Sequence, residues 1–256
     1  MHHINNQDNT ARIGYKIIAQ EKKAQWVSRQ FDSVAKKYDL MNTLLSFGIH
    51  YLWKKKAIKM SGLEPGFKVL DLCGGTGDLA VSAAKIAGRS GQVVLCDINR
   101  EMMNAGRMKK SSILYRKQIN YVQADAENIC FCDNYFDAVI IGFGIRNLTN
   151  MEAGFKEIYR VLKPGGKMVC LEFSRPAAPF FQKIYDFYSF HIMPWAGEIL
   201  TGSREAYTYL PESIRIFPLP DELKVKLEHT GFNNVIWQAL TNGVAVIHRG
   251  IKYVRL

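Results

Sequence analysis

The chain has 256 residues, of which 48% are hydrophobic and 22% charged, which predicts one large or two small soluble globular domains. This composition excludes wholesale disorder and collagen-like or coiled-coil architectures. The net charge of +11 is concentrated near the N-terminus, since residues 1–66 carry 11 basic and 5 acidic side chains. A basic surface of this kind suits nucleic acid or an anionic membrane, or is simply a solvated face.

The five cysteines are an odd number and predict reduced, packed thiols of a cytosolic protein rather than a disulfide framework. Cys130 and Cys132 lack the spacing of a zinc site, so no metal is expected. The sequence contains no apolar run of the ~18 residues that a membrane span needs. Its first residues carry no signal or transit pattern, so we expect a cytoplasmic location.

Residues 1–66 are predicted to form a helical segment on the substrate side of the protein. Phe31, Val34, Ala35 and Tyr38 recur at helical spacing and place an apolar stripe on one helix face. Pro65-Gly66 ends this segment, and the second predicted domain covers residues 67–256.

Short apolar runs alternate with helical stretches after residue 66. Strands are predicted at 68–72, 93–97, 119–123, 136–142 and 167–173, and helices at 78–87, 100–117 and 151–162. Runs that are apolar throughout are typical of strands covered by helices on both faces. The alternation predicts a parallel sheet with right-handed crossovers.

Residues 177–219 interrupt this alternation with seven aromatic residues between Phe180 and Trp195. We predict a mostly helical insertion that is either a lid over an apolar ligand or an ordinary cap on the sheet. A helix at 221–230 and strands at 231–240 and 244–248 follow, and the strands meet at an Asn-Gly turn. The predicted fold class is α/β, with a Rossmann-like, mostly parallel seven-stranded sheet and a C-terminal antiparallel hairpin.

A glycine-rich turn follows the first strand and opens a helix. Gly74, Gly75 and Gly77 allow the backbone to approach a ligand at the carboxyl edge of the sheet, where open α/β sheets bind ligands. Asp97 ends the next strand, where a carboxylate accepts hydrogen bonds from both hydroxyls of a ribose. Together these features predict a nucleoside cofactor.

The spacing of the turn differs from the G-x-G-x-x-G of dinucleotide-binding turns, and Asp71 and Asp78 flank it. Two carboxylates repel a pyrophosphate but suit the positive sulfonium and ammonium groups of S-adenosylmethionine. We therefore favour a methyltransferase over a dehydrogenase. Asp125 follows the third strand and is predicted to accept from the adenine amino group, beside the Ala126 amide as donor. Its alternative role is a helix or turn cap.

Two segments closely resemble signatures of the ubiquinone/menaquinone biosynthesis C-methyltransferases, the UbiE family. They are the block from Tyr38-Asp39-Leu40-Met41-Asn42 to Trp53 and the segment Phe143-Gly144-Ile145-Arg146-Asn147. A further family signature runs from Arg160-Val161 through Leu162-Lys163-Pro164-Gly165-Gly166 and on to Leu171-Glu172-Phe173-Ser174. Its Leu-Lys-Pro-Gly-Gly turn is shared by many methyltransferases, and the resemblance spans nearly the whole chain.

The resemblance implies cofactor contacts at Thr76, Asp97, Asp125 and Ala126. Gly142 stands where the family often has a serine that contacts the cofactor, so one hydroxyl contact is expected to be lost.

The family's substrates are polyprenylated quinols, so the resemblance implies methyl transfer to a ring carbon of demethylmenaquinol, of a polyprenyl-methoxybenzoquinol, or of both. This reaction needs phenolate character at a neighbouring oxygen and removal of the ring proton. Arg146, with Asn147 beside it, is the first candidate, to stabilise the phenolate and orient a proton-accepting water. Tyr38 and His50 are candidates for hydrogen-bond partner and proton acceptor. The alternative roles are structural: Tyr38 would be a core tyrosine, and His50 a surface or capping histidine.

The substrate's tail lives in a bilayer, so the lysines at positions 36–37 and 54–56 are expected to hold the protein weakly on anionic lipid at the inner membrane face. Other quinone-biosynthesis proteins and a second copy of the chain, in a homodimer, are alternative binding partners. An RNA methyltransferase is the rival enzyme class, but the sequence lacks the motifs that are usual for that class. We therefore expect no nucleic-acid partner. A non-catalytic, cofactor-binding subunit of a quinone-biosynthesis complex is the second rival.

Overall fold

The computed structural model describes residues 9–253. The chain starts with a hairpin of β1 (Thr10–Ile13) and β2 (Lys16–Ala19), followed by the helices α1 (Gln20–Val34), α2 (Tyr38–Leu45) and α3 (Ile49–Ser61). The prediction of an entirely helical N-terminal segment is wrong at the hairpin, where Thr10 to Ile13 pair antiparallel with Lys16 to Ala19 across a turn at Gly14. The apolar stripe from Phe31 to Tyr38 is also not on one helix, because a 3-10 turn separates α1 from α2.

Seven strands form the main sheet: β3 (Lys68–Leu72), β4 (Gln92–Asp97), β5 (Ile119–Gln123), β6 (Phe136–Gly142), β7 (Leu162–Phe173), β8 (Phe232–Leu240) and β9 (Ala245–Lys252). Their order is β5-β4-β3-β6-β7-β9-β8, parallel from β5 to β7 and antiparallel at β9. The predicted fold class is confirmed. β7 starts earlier than predicted, since Leu162 already pairs with Phe136.

Helices cover both faces of the sheet, as the fully apolar strands predicted. α3, α4 (Asp78–Ala87) and α5 (Arg100–Arg107) pack on one face, and α7 (Met151–Val161) and α11 (Pro220–Thr230) on the other. The predicted single helix at 100–117 is wrong. It is divided into α5 and α6 (Lys110–Leu114), because Lys109 adopts an extended backbone between them.

The insertion is mostly helical, as predicted, with α8 (Pro179–Phe187), a π-helical turn at Tyr188–Ile192, α9 (Met193–Thr201) and α10 (Arg204–Ile216). Its inner side packs on the N-terminal helices, through Tyr209 against Val27 and through Tyr207 against Met41. We call α1, α2 and α8 to α10 the helical roof. Within residues 9–253, no helix is both long and apolar enough to cross a bilayer.

Candidate active site

The turn between β3 and α4 is tied to the end of β4. The Gly75 N–H donates to Asp97 Oδ2 at 2.8 Å, and the Asn99 N–H donates to Asp97 Oδ1 at 2.7 Å. Burial raises the pKa of Asp97, and these backbone donors oppose the rise. Each carboxylate oxygen still has acceptor capacity. Asp97 lies in the wall of a cleft, so the structure places it where hydroxyl groups of a ligand can reach it.

The glycine-rich turn contributes less to the cleft than predicted. Gly75 lines it, but Gly74, Thr76 and Gly77 do not. A Cβ on Gly74 or Gly77 would lie 2.6 or 2.9 Å from the Leu95 side chain, so these glycines allow close packing on β4. The Thr76 hydroxyl donates to Asp39 at 2.6 Å. The structure therefore does not bring the Thr76 side chain to the cofactor position.

Asp71 and Asp78, the two acids that flank the turn, do not face the cleft as free charges. The expectation that their carboxylates meet the positive groups of the cofactor is therefore wrong. Asp71 accepts from the Ala80 N–H at 2.7 Å, and burial raises the pKa of its carboxyl to about 7. Burial opposes the charge on Asp78 too, but Lys54 and Lys109 pair with it and hold its pKa at about 2. The acidic character of the cleft comes from other residues.

Asp125 and Ala126, after β5, both line the cleft, and their contact with an adenine stays a prediction. Asp125 Oδ1 accepts from the Glu127 N–H at 2.9 Å, so the carboxyl also caps its own turn, which was the alternative role. Gly142 lines the cleft at the end of β6. A Cβ there would lie 2.6 Å from Leu79 Cδ1, so the Leu79 side chain occupies the space that a serine side chain needs.

The cleft has a volume of about 850 Å³ counted to its open mouth, and α1 covers it from above the carboxyl ends of β3 to β6. Within the described residues, its charged wall groups are all acidic: Asp97, Asp125 and Glu127. An acidic wall disfavours a pyrophosphate and suits a donor with a positive sulfonium. Met102, Ala126 and Leu148 add apolar surface to the cleft wall for a planar base. These residues fit S-adenosylmethionine.

A second cavity, of about 1000 Å³, lies next to the cleft, and Phe31, Tyr38 and Phe143 line both spaces. Its walls are mainly aromatic and aliphatic and come from α2, α3, the insertion and the end of β7. Phe143 has a φ of 60° and stacks on Phe173 with 4.4 Å between the ring centroids. A left-handed backbone is strained for a bulky residue, and here it places the ring in the shared wall.

Arg146 lines this second cavity and is held by a buried ion pair. Its Nη1 donates to Glu172 Oε1 at 2.8 Å and to the Phe143 carbonyl at 2.6 Å, while Nε donates to Ser213 Oγ at 3.3 Å. The side chains of Arg146 and Glu172 are 6% and 2% exposed. Burial raises the pKa of Glu172, and the Arg146 cation opposes that rise. Within the described chain Nη2 makes no hydrogen bond and remains available to a ligand.

Asn147 faces the other way, into the cofactor cleft. The Tyr209 hydroxyl donates to Asn147 Oδ1 at 3.0 Å, which connects α10 of the roof to the loop after β6. Burial raises the pKa of Tyr209 to about 12. Adjacent residues of one loop thus serve the two spaces, Arg146 the cavity and Asn147 the cleft.

Tyr38 and His50 both line the second cavity, so the structure brings them to the same space as Arg146. His50 is 3% exposed, and its Nε2 lies 3.3 Å from Thr43 Oγ1. Burial and the nearby Lys54 lower the pKa of His50 to about 4. A neutral imidazole with so low a pKa is a weak proton acceptor, which makes His50 a hydrogen-bonding group rather than the general base.

The lowered pKa of His50 predicts an acid-sensitive fold. Because the unfolded imidazole titrates near 6.5 and the folded one at about 4, stability is complete above pH 6.5 and is lost as the pH falls towards 4. When the pH is lowered from 6.5 to 4, we expect the unfolding free energy of a His50→Gln variant to fall by about 2 kcal/mol less than that of the parent protein. Chemical denaturation at each pH measures this difference. Parallel pH curves for the two proteins would contradict the assignment.

Sequence reasoning assigned no role to Glu172, Tyr209 or Asp39. Glu172 carried a signal, because an acid inside the apolar run of β7 needs a buried partner. Tyr209 gave none, since its bond to Asn147 spans 62 positions. Asp39 accepts from Thr76 and also pairs with Lys109 at 2.8 Å, so it ties α2 to the glycine-rich turn.

Solved structures share this fold at low sequence identity. The [4+2]-cyclase SpnF matches with a TM-score of 0.66 and 16% identity, covering 90% of this chain and 96% of that chain. A SAM-dependent methyltransferase from Aquifex aeolicus matches with a TM-score of 0.53 and 20% identity, over 77% of this chain and 88% of that chain. At these identities the two matches show the shared fold alone.

The chain belongs to the ubiE/COQ5 methyltransferase family, whose profile matches residues 18–252. The ubiquinone/menaquinone biosynthesis C-methyltransferase UbiE of Haemophilus ducreyi is 49% identical over 97% of this chain and 96% of its own length. The corresponding UbiE of Cronobacter sakazakii is 46% identical over 98% of this chain and 100% of its own length. The chain is therefore an S-adenosylmethionine-dependent methyltransferase.

Proposed function

We propose that this protein methylates a ring carbon of a polyprenylated quinol in ubiquinone or menaquinone biosynthesis. The observation that carries this proposal is the position of Arg146. Its guanidinium lines an apolar cavity that shares a wall with the acidic cofactor cleft. An apolar chamber suits a prenylated ring, and a fixed cation suits the oxyanion that such a ring must form.

When bound in the cleft, S-adenosylmethionine supplies an electrophilic methyl group. Asp97 would hold its ribose, and Asp125 and Ala126 its adenine. On the acceptor side, Arg146 stabilises negative charge on the quinol oxygen, which raises the nucleophilicity of the neighbouring ring carbon. Glu172 fixes the orientation of the guanidinium. The arginine cannot itself remove the ring proton, and a water oriented by Arg146 takes this role.

The protein is proposed to act in the cytoplasm, at the inner face of the membrane. Two of the lysines proposed to bind lipid are engaged elsewhere, since Lys54 pairs with Asp78 at 2.6 Å and Lys37 donates to the Leu200 carbonyl at 2.5 Å. Lys55 is exposed, and Lys36 and Lys56 complete the group. Contacts with quinone-biosynthesis proteins or with a second copy are further proposals.

The test is methyl transfer to short-chain quinols. Purified protein is incubated with labelled S-adenosylmethionine and, separately, with a short-chain demethylmenaquinol and a short-chain methoxybenzoquinol. We expect label on the ring carbon of at least one of them, and the ratio of the two rates identifies the acceptor. A parallel incubation contains RNA in place of quinol, and label on RNA alone would support the rival enzyme class. Binding of S-adenosylmethionine without methyl transfer to either quinol would support the non-catalytic subunit.

A further inference from the structure

The outer face of the insertion is apolar. On α8, Phe180, Ile184 and Phe187 are spaced i, i+4 and i+7 and share one helix face, and Phe180 and Phe187 are 77% and 63% exposed. Trp195 on α9 is 59% exposed. Single exposed apolar residues are common, but a contiguous row on one face marks an interaction surface. The row needs an explanation because the inward side of the same helices already packs on the protein.

The turn between α2 and α3 extends this surface. Phe47 is 81% exposed, and Leu44 is also exposed. The turn lies against the insertion, since the rings of Phe47 and Tyr188 are 6.2 Å apart and the Tyr188 hydroxyl donates to the Leu45 carbonyl at 2.9 Å. We define the apolar rim as Leu44, Phe47, Phe180, Ile184, Phe187 and Trp195.

The apolar rim lies directly outside the acceptor cavity. Leu45 and Ser46 line the cavity and are the sequence neighbours of Leu44 and Phe47. Tyr185 and Tyr188 line it as well, next to Ile184 and Phe187 on the insertion. The same two elements therefore separate the inside of the cavity from solvent and present apolar side chains on both of their faces.

The charges around the apolar rim favour an anionic surface. Of the four acids of the insertion, Asp186 of α8 pairs with Arg215 and Glu198 of α9 pairs with Arg204 at 2.7 Å, while Glu205 and Glu212 lie on α10, outside the two helices that carry the rim. Lys183 is exposed on α8 within the rim, and Lys55 and Lys59 are exposed on α3, whose Trp53 shares an apolar cluster with Phe181 of α8. An apolar face bordered by lysines is typical of a protein segment that lies in the headgroup region of a membrane.

We propose that the apolar rim inserts into the headgroup region of a bilayer that contains anionic lipid, so that the acceptor cavity adjoins the membrane. A second copy of the chain suits the rim less well, because two apposed rims bring their lysines towards each other. The reason for membrane docking rests on the proposed function, since a polyprenylated acceptor then passes from lipid to cavity without crossing water. Docking itself depends only on the rim.

The test is flotation of the full chain with empty vesicles of phosphatidylcholine, with and without phosphatidylglycerol. The test variant carries Phe47→Asn and Phe187→Gln, since asparagine tolerates the left-handed φ of 51° at position 47 and glutamine is a good helix former. The matched control carries Leu114→Gln and Ile236→Thr, two exposed apolar residues on α6 and β8, outside the rim. Sedimentation velocity reports the oligomeric state of all three proteins.

We expect the parent and the control to bind vesicles containing phosphatidylglycerol and the test variant to bind roughly tenfold or more weakly. All three should methylate a soluble short-chain quinol equally. The proposal is overturned if the parent does not float, if the control weakens as much as the test variant, or if the two rim substitutions dissociate a dimer. The vesicles contain neither quinol nor cofactor, so flotation and methylation are independent measurements. A protein that fails to float can still methylate quinol, and a protein that fails to methylate quinol can still float.

Discussion

Replacing Arg146 with alanine is expected to reduce kcat for quinol methylation by about a hundredfold to a thousandfold, the usual effect of removing one oxyanion-stabilising donor. Affinity for S-adenosylhomocysteine should change little, because Arg146 faces the acceptor cavity and not the cleft. Calorimetry with S-adenosylhomocysteine and steady-state kinetics with a short-chain quinol measure the two quantities. Unchanged turnover would remove Arg146 from the mechanism.

Loss of Arg146 also leaves Glu172 buried without its partner, which is expected to cost about 3 kcal/mol of unfolding free energy. A second variant separates this effect from catalysis. In Arg146→Gln with Glu172→Gln, a neutral amide pair replaces the ion pair, so neither residue is left as an unpaired buried charge. We expect this double variant to unfold at nearly the parent denaturant concentration and to remain as inactive as Arg146→Ala.

The Asp97→Ala variant is expected to bind S-adenosylhomocysteine about a hundredfold more weakly, because two charge-assisted hydrogen bonds to ribose hydroxyls are lost. Asp97 also accepts from the Gly75 and Asn99 N–H groups, so alanine loosens the turn as well. Asp97→Asn keeps an acceptor oxygen, so its affinity for S-adenosylhomocysteine should lie between those of the parent and of Asp97→Ala. Calorimetry measures all three.

Asp125→Asn is the matched control for this prediction. Asp125 also lies in the cleft wall, but its carboxyl is exposed and already caps its own turn, so its loss should weaken binding far less. Equal losses at Asp97 and Asp125 would contradict the assigned roles. Tight binding of NADH, with none of S-adenosylhomocysteine, would contradict the whole assignment of the cleft.

The sheet and the cofactor half of the site were predictable from sequence because their determinants are local. β3, β5 and β6 have the predicted bounds, since each is a short run in which apolar residues predominate. Asp97 and Asp125 could be found because the carboxyl ends of parallel strands meet at one edge of a sheet. The β1–β2 hairpin was missed because each strand has only four residues, too few for the alternation of β1 to stand out, and β2 does not alternate.

The acceptor half depends on contacts between distant parts of the chain, which local patterns do not encode. The partner of Thr76 lies 37 positions away in α2, and Glu172 lies 26 positions from Arg146. The charges of Asp71 and Asp78 were misjudged for the same reason. The burial of Asp71 and the two lysines that meet Asp78 become visible only when the helices are placed on the sheet.

The wall formed by Phe31, Tyr38 and Phe143 has a thermodynamic consequence. Because the same side chains touch both the cleft and the cavity, the conformation that they adopt around one ligand sets the shape offered to the other. The two binding equilibria are then linked, and linkage is reciprocal. Any factor by which bound quinol raises the affinity for the methyl donor must equal the factor by which bound donor raises the affinity for quinol.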